Sequence, residues 1–183
     1  MITVTPTRIA DVLIVESPVY EDARGYFTEV FHAQHFATAG LPTTFVQDSH
    51  SHSVRHTVRG MHYQADHVQG KLVRVVTGTV FDVVVDLRRH SPTFASWVSV
   101  TLTAGDGRQL WIPPGLAHGF LTLSESADMT YKLTDFYHPA SERSLAWDDP
   151  AIGIDWPLPT GIEPLLSQKD AAAPRFPDAF VYP

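Results

Sequence analysis

Apolar residues recur along this chain in short alternating runs, the period of strands rather than of helices. Val12-Leu13-Ile14-Val15 forms a first run, stopped by Ser17-Pro18. Tyr26-Phe27-Thr28-Glu29-Val30-Phe31 alternates after the turn Asp22-Ala23-Arg24-Gly25. Residues 32–39 carry the helical pattern of the first half, closed by Gly40 and Pro42. Residues 43–52 are strand-like again and lead to Arg59-Gly60-Met61-His62-Tyr63-Gln64. Residues 70–76, Thr77-Gly78 and residues 80–87 read as strand, tight turn and strand, which predicts a hairpin. In its first strand Lys71, Val73 and Val75 share one face. Residues 96–103 and 109–112 predict two more strands, and 122–124 with 129–134 a further pair. From Asp148 the chain turns proline-rich and irregular. The sum, roughly ten strands with one early helix, predicts an all-β, cupin-like jelly-roll barrel with a few short helices and an irregular C-terminal tail.

Composition narrows this without redirecting it. A length of 183 residues suits one domain, residues 1–183, with a real core. Fourteen prolines and eleven glycines favour many turns over a helix bundle. A formal charge of −7 argues against a nucleic-acid face but leaves room for a phosphate ligand gripped by a few local cations. With no cysteine there is no disulfide framework and no thiolate chemistry. No apolar run approaches membrane length and the first residues do not resemble a signal peptide, so the expectation is a cytoplasmic protein with no membrane partner.

The chemistry centres on residues 59–64. In a regular strand Gly60 and His62 face one way and Arg59, Met61 and Tyr63 the other. A bulge at Gly60 would bring Arg59 round to the side of His62, because glycine tolerates the backbone angles a bulge needs. Ten histidines raise the question of a metal. Pro113-x-Gly115-x-x-His118 resembles the second half of the cupin signature, but His62-Tyr63-Gln64 offers neither the second histidine nor the glutamate of its metal-binding first half. His50 and His52 alternate on a different strand, whereas a catalytic zinc or iron generally needs three protein ligands. Without a metal, His62 as base, Lys71 as cation, His118 across the barrel and Tyr131 as phenol form a set suited to removing a proton beside a carbonyl. Each also has a structural reading: Lys71 as a snorkelling edge charge, Tyr131 as a core aromatic with a wet hydroxyl.

Many separate motifs, from about Val12 to Pro174, resemble the dTDP-4-dehydrorhamnose 3,5-epimerase family. They include Asp22-Ala23-Arg24-Gly25-Tyr26-Phe27-x-Glu29, Phe45-Val46-Gln47-Asp48, Val58-Arg59-Gly60-Met61-His62-Tyr63-Gln64 and Gln69-Gly70-Lys71-Leu72-Val73-Arg74. Gln109-Leu110-Trp111-Ile112-Pro113-x-Gly115-x-Ala117-His118-Gly119-Phe120, Trp147-x-Asp149-Pro150 and Leu166-Ser167-x-Lys169-Asp170 continue the match in order. The resemblance implies a jelly-roll homodimer that uses no metal or other cofactor and inverts C3 and C5 of a 4-keto-6-deoxyhexose carried on dTDP. It implies His62 as general base with Asp170 behind it, Lys71 on the C4 enolate oxygen with His118 nearby, and Tyr131 as proton donor from the opposite face. Tyr137 is a second phenol, either acid or thymine-stacking. Arg59 would pair with the diphosphate. Arg24, Phe27, Glu29 and Gln47 would contact the nucleotide, some of them from the partner subunit, with Ser49 and Lys169 also at the substrate.

The chain departs from the family pattern at two positions. Ser49 replaces the asparagine of a Gln-Asp-Asn-His run, and His56 replaces a turn glycine before the Arg-Gly motif. Both bear on substrate fit, so the rival readings are a single-carbon epimerase on a related dTDP-sugar, a metal-dependent cupin, and a sugar-nucleotide-binding module without catalysis.

Overall fold

The computed structural model describes all 183 residues. The first part of the chain forms β1 (Thr3–Pro6), β2 (Leu13–Glu16), β3 (Val19–Asp22), β4 (Gly25–Thr28), the short helix α1 (Ala33–Thr38), β5 (Gln47–Val54) and β6 (Val58–Gln64). Then follow β7 (Lys71–Thr77), β8 (Thr79–Asp86), β9 (Trp97–Thr103), β10 (Arg108–Ile112), β11 (Leu116–Thr122), β12 (Ser126–Leu133), β13 (Glu142–Ser144) and α2 (Gln168–Ala171). A six-stranded sheet in the order β1-β2-β10-β7-β12-β5 faces a five-stranded sheet in the order β13-β6-β11-β8-β9. The β3–β4 hairpin stands apart as its own two-stranded sheet. This is the all-β, cupin-like architecture expected from the alternation.

The alternation also explains the packing. Val73 and Val75 of β7 point between the sheets, where they meet Val80, Val84, Phe120, Met129 and Ile112. Leu72 points outward instead, under Phe36 of α1 and beside Val15 and Trp111. The outer face of the five-stranded sheet carries Met61, Tyr63, Val83, Val85 and Ala117, and the irregular tail covers it with Ile152, Trp156, Phe176 and Tyr182. Two tyrosines fasten that cover: Tyr63 Oη donates to the Phe180 carbonyl at 2.7 Å, and Tyr182 Oη to the Gln64 carbonyl at 2.5 Å.

Three expectations are corrected. The strands on either side of Gly78 are not a hairpin: β7 pairs with β10 and β12, whereas β8 pairs with β11 and β9 in the other sheet. Gly78, at φ +79°, is a corner where the chain changes sheets, and a Cβ there would meet the Ser126 carbonyl oxygen at 2.1 Å. The predicted strand pair at 122–124 and 129–134 is likewise two strands in different sheets, β11 and β12, and β11 begins at Leu116. All seven residues of β11 are buried, so it has no alternation to read. Finally, β1, β3, β13 and α2 were not expected at their positions. The turn before β6 holds His56 at φ +64°, a left-handed conformation in which glycine is at ease, as the family's usual residue there implies.

Candidate active site

One end of the barrel gathers the C-terminal end of β6, the N-terminal end of β7, the C-terminal end of β12 and the N-terminal end of β5. Between them lies a cavity of ≈ 350 Å³ lined by Gln47, Ser49, His62, Gln64, Lys71, Tyr131, Tyr137 and Glu142, among others. His62 reaches it from the five-stranded sheet and Tyr131 from the six-stranded sheet, so imidazole and phenol approach the space from opposed walls.

Asp170 supports His62 from behind. Its carboxylate meets His62 Nε2 at 2.5 Å, and the residue is 4% exposed. The first turn of α2 fixes it there, with Ser167 Oγ accepting from the Asp170 amide at 3.1 Å. Burial works to raise the Asp170 pKa, but the hydrogen bond and charge of His62, the Ser167 contact and the Lys169 charge outweigh it and leave the carboxyl below its usual value. Asp170 therefore stays ionised and fixes the orientation of the imidazole.

Lys71 enters from the first position of β7, on the same inward face as Val73, and its Nζ donates to the His62 carbonyl at 3.1 Å. Burial lowers its pKa to about 8, against the opposing pull of Asp82 and Glu142. Tyr131 packs against the core and its hydroxyl lies 2.9 Å from Ser51 Oγ. Burial raises its pKa, despite that hydrogen bond, so the phenol holds its proton. At the rim, Tyr137 Oη donates to Glu142 Oε2 at 2.9 Å while Lys169 pairs with the other oxygen of Glu142. The bond to Glu142 raises the Tyr137 pKa. Gln47 accepts from the Tyr137 amide at 2.9 Å and donates to Ser49 Oγ at 3.1 Å, so both line the cavity as one linked pair.

His118 sits one layer deeper. It stands opposite His62 on β11, is 4% exposed, and its Nε2 lies 2.9 and 3.0 Å from the two oxygens of fully buried Asp82. Its ring lies edge-on to Tyr131, 6.2 Å between centroids. It thus backs the cavity wall and does not line it. Arg59 is on the inward face with its Nε on Ser53 Oγ at 2.9 Å and an Nη on the His52 carbonyl at 3.0 Å, near Tyr131 but outside the cavity lining.

Arg24, Phe27 and Glu29 are not brought to this cavity. Arg24 extends from the β3–β4 hairpin with a side chain 90% exposed, Phe27 is 70% exposed, and Glu29 bonds His35 at 2.7 Å. His50 and His52 do share a face, as their spacing suggests, but it is the outer one. Both rings bond Asp128 Oδ1 there, at 2.9 and 3.1 Å, turned away from His62. The barrel interior therefore does not assemble the three-ligand set that a cupin metal centre needs.

Two site residues were missed. Glu142 arrives on the three-residue strand β13, paired to Gln64 of β6, inside a stretch that reads as polar loop. Asp82 left a visible signal, a carboxylate in the middle of the apolar run of β8, because a charge is buried only with a partner.

Comparison with known proteins adds an independent finding. Residues 6–178 match the family model described as dTDP-4-dehydrorhamnose 3,5-epimerase. The dTDP-4-dehydrorhamnose 3,5-epimerase of Salmonella typhimurium is 52% identical over 183 residues, covering 99% of each chain. The crystal structure of the dTDP-6-deoxy-D-glucose-3,5-epimerase of Legionella pneumophila, in complex with dTDP-4-keto-L-rhamnose, is 48% identical with a TM-score of 0.90, covering 94% of this chain and 92% of that one. A 3′-monoepimerase from Streptomyces bikiniensis in complex with dTDP-quinovose is 36% identical with a TM-score of 0.86, covering 93% and 85%.

Proposed function

The chain belongs to the dTDP-4-dehydrorhamnose 3,5-epimerase family, and from that premise we propose how its barrel mouth works as such an isomerase. The substrate is a dTDP-linked 4-keto-6-deoxyhexose, and the observation that carries the reading is the placement of His62 and Tyr131 on opposed walls of one cavity with Lys71 between the sheets.

His62, held by Asp170, removes a proton from a carbon beside the C4 ketone. The electron pair moves into the carbonyl, and the ammonium of Lys71 stabilises the resulting enolate oxygen. Tyr131 then gives its proton to the same carbon from the opposite face, which inverts it. Proton return to the phenol and release from the imidazole, both by way of solvent, restore the site. The same set acts on C3 and C5 in turn. Glu142, Lys169, Gln47 and Ser49 bind the sugar nucleotide around this centre, with Tyr137 against the base or sugar and Arg59 on the diphosphate. We read residues 1–183 as one catalytic unit working in the cytoplasm, a compartment that fits a chain without cysteine.

A homodimer completes the reading. The β3–β4 hairpin leaves Tyr20, Tyr26 and Phe27 exposed and Arg24 free of its own cavity. Aromatic and arginine side chains standing clear of the protein are what an interface or nucleotide contact uses, so the hairpin serves the pocket of a second copy.

The test is deuterium wash-in from D₂O on dTDP-4-keto-6-deoxyglucose. Exchange at C3 and C5 is expected, abolished in His62→Ala. Exchange at one carbon only would favour the second reading, a single-carbon epimerase. That reading is motivated by Ser49 in the cavity lining and by the likeness to the Streptomyces bikiniensis monoepimerase. No exchange at all would overturn both.

A further inference from the structure

Beside the cavity, two loops meet over Gln64: residues 65–70, between β6 and β7, and residues 134–138, after β12. Three side chains with metal-capable donor atoms converge where they touch. The donor atoms of His67, Asp135 and His138 all lie within 4.8 Å of one another. The two imidazoles stack at 3.7 Å between centroids and 15° between planes, and His67 Nδ1 lies 3.7 Å from Asp135 Oδ2.

The backbones under all three residues are fixed by amide side chains. Gln64, only 3% exposed, donates to the His67 carbonyl at 2.6 Å and accepts from the His138 amide at 2.7 Å. Gln69 donates to the Asp135 carbonyl at 2.9 Å. His67 adopts φ +52°, a conformation uncommon for a residue with a side chain.

We propose that His67, Asp135 and His138 form a zinc-class metal site at the rim of the cavity, separate from the epimerisation chemistry. Two imidazoles and one carboxylate suit borderline transition ions, whereas magnesium and calcium prefer all-oxygen sets. In tetrahedral zinc, bonds of about 2.0–2.1 Å put ligand atoms roughly 3.3 Å apart, so closure from the observed spacing moves each donor by about 1 Å at most. Rotation about the soft χ2 torsion of histidine turns the ring nitrogens to a common point. The fourth position stays open to water. Because Tyr137 lies between Asp135 and His138 and its hydroxyl reaches Glu142, a bound ion fastens the segment that carries this rim phenol.

The experiment is zinc titration of the full-length protein by calorimetry, with cobalt(II) absorption as a second probe. One equivalent is expected to bind, with affinity falling about tenfold or more in His67→Ala and in His138→Ala, since each loses a ligand. Asp135→Asn keeps the shape and the Gln69 contact and should weaken binding too. His50→Ala with His52→Ala, the outer-face pair, should leave this site unaltered. Absence of stoichiometric binding, or undiminished binding in the His67→Ala/His138→Ala double variant, would overturn the proposal.

Discussion

Arg59 and His62 point to the same face of β6 although they stand three positions apart. His62 stands opposite His118 and Arg59 opposite Phe120, so two residues of β6, Gly60 and Met61, span the single Gly119 on β11. That extra residue is a β-bulge, and it turns Arg59 inward where regular alternation would send it out with Met61. The guanidinium therefore lies on the side of the His62 imidazole, beside Ser53 and near Tyr131.

The bulge depends on Gly60. At φ +124° an added Cβ would meet Gly119 Cα at 2.5 Å and the His118 carbonyl oxygen at 2.8 Å, and neither backbone atom can yield cheaply. Gly60→Ala is expected to cost several kcal/mol, lowering Tm by on the order of 10 °C at this chain length. Activity should fall with it, because Arg59 and His62 lose their common face. A calorimetric scan with an unmoved Tm would show that the strand accommodates the methyl group.

His62 and Asp170 should separate in kinetics. His62→Ala removes the base, and a loss of about 10²–10⁴-fold in kcat is expected from general base catalysis alone. Asp170→Asn keeps the imidazole but loses the charge that orients it. A smaller fall in kcat is expected, with the acid limb of the pH–rate profile displaced and KM nearly constant. If the profile were superimposable on the parent's, Asp170 would be merely structural. The linkage sign is fixed by its depressed folded pKa: the stability Asp170 contributes is complete above about 3.9 and disappears as pH falls through the lower folded value.

Tyr131→Phe tests the opposed-wall geometry. His62 can still remove a proton, exchange it and return it from its own side, so wash-in without inversion is the expected outcome. Product analysis by NMR reads both at once. Inversion at the parental rate in this variant would transfer the acid role to Tyr137, whose hydroxyl is already committed to Glu142.

Much of this site was legible because strands write their faces into the sequence. Lys71, Val73 and Val75 alternate with Leu72, and the structure sends them to the interior as the spacing requires. What failed was pairing. Gly78 lies between the end of β7 and the start of β8, and a local signal of that kind looks the same whether the chain folds back on itself or turns a corner into another sheet. β11 was partly missed because burial on both sides erases the polar positions that mark a strand. Glu142 was hidden for the opposite reason, since three polar residues make a strand only when β6 is there to pair with them. Arg24 and Phe27 carry the motif but lie away from the cavity of their own chain, a placement that no local pattern reveals.

Lys71 couples activity to stability. Burial holds its pKa at about 8 against an ordinary 10.5. Below pH 8 the folded state must keep a charge that would prefer water, a cost on the order of 3 kcal/mol. Between pH 8 and 10.5 the unfolded chain binds more protons than the folded one, so stability from this group rises with pH. Lys71→Met should therefore be inactive yet gain stability relative to the parent below pH 8, with the gain shrinking towards pH 10.5. In the parent, kcat/KM should fall as pH rises through about 8, when the enolate loses its cation. Denaturant melts of both proteins at pH 7 and pH 10 check the sign, and a gain that grew with pH would contradict it.

The hairpin assignment has the sharpest test, because it predicts recovery and not only loss. Arg24→Ala removes the guanidinium proposed to contact the nucleotide, and about 10–100-fold in kcat/KM is expected from a charged hydrogen bond worth about 1.5–3 kcal/mol. His62→Ala is expected to lose activity for a different reason. If each hairpin serves the other copy's cavity, unfolding and refolding the two variants together makes mixed dimers. In those, the cavity with His62 receives an intact Arg24 from its neighbour. Half the dimers would be mixed, each with one complete site, so about a quarter of parental activity should return at equal mixing in a two-fold symmetric dimer. With Arg24 acting on its own chain's cavity, mixing would restore nothing. Sedimentation at the assay concentration fixes the fraction of dimers, so a failure to associate is told apart from a hairpin that works in cis, and either would dismiss the shared site.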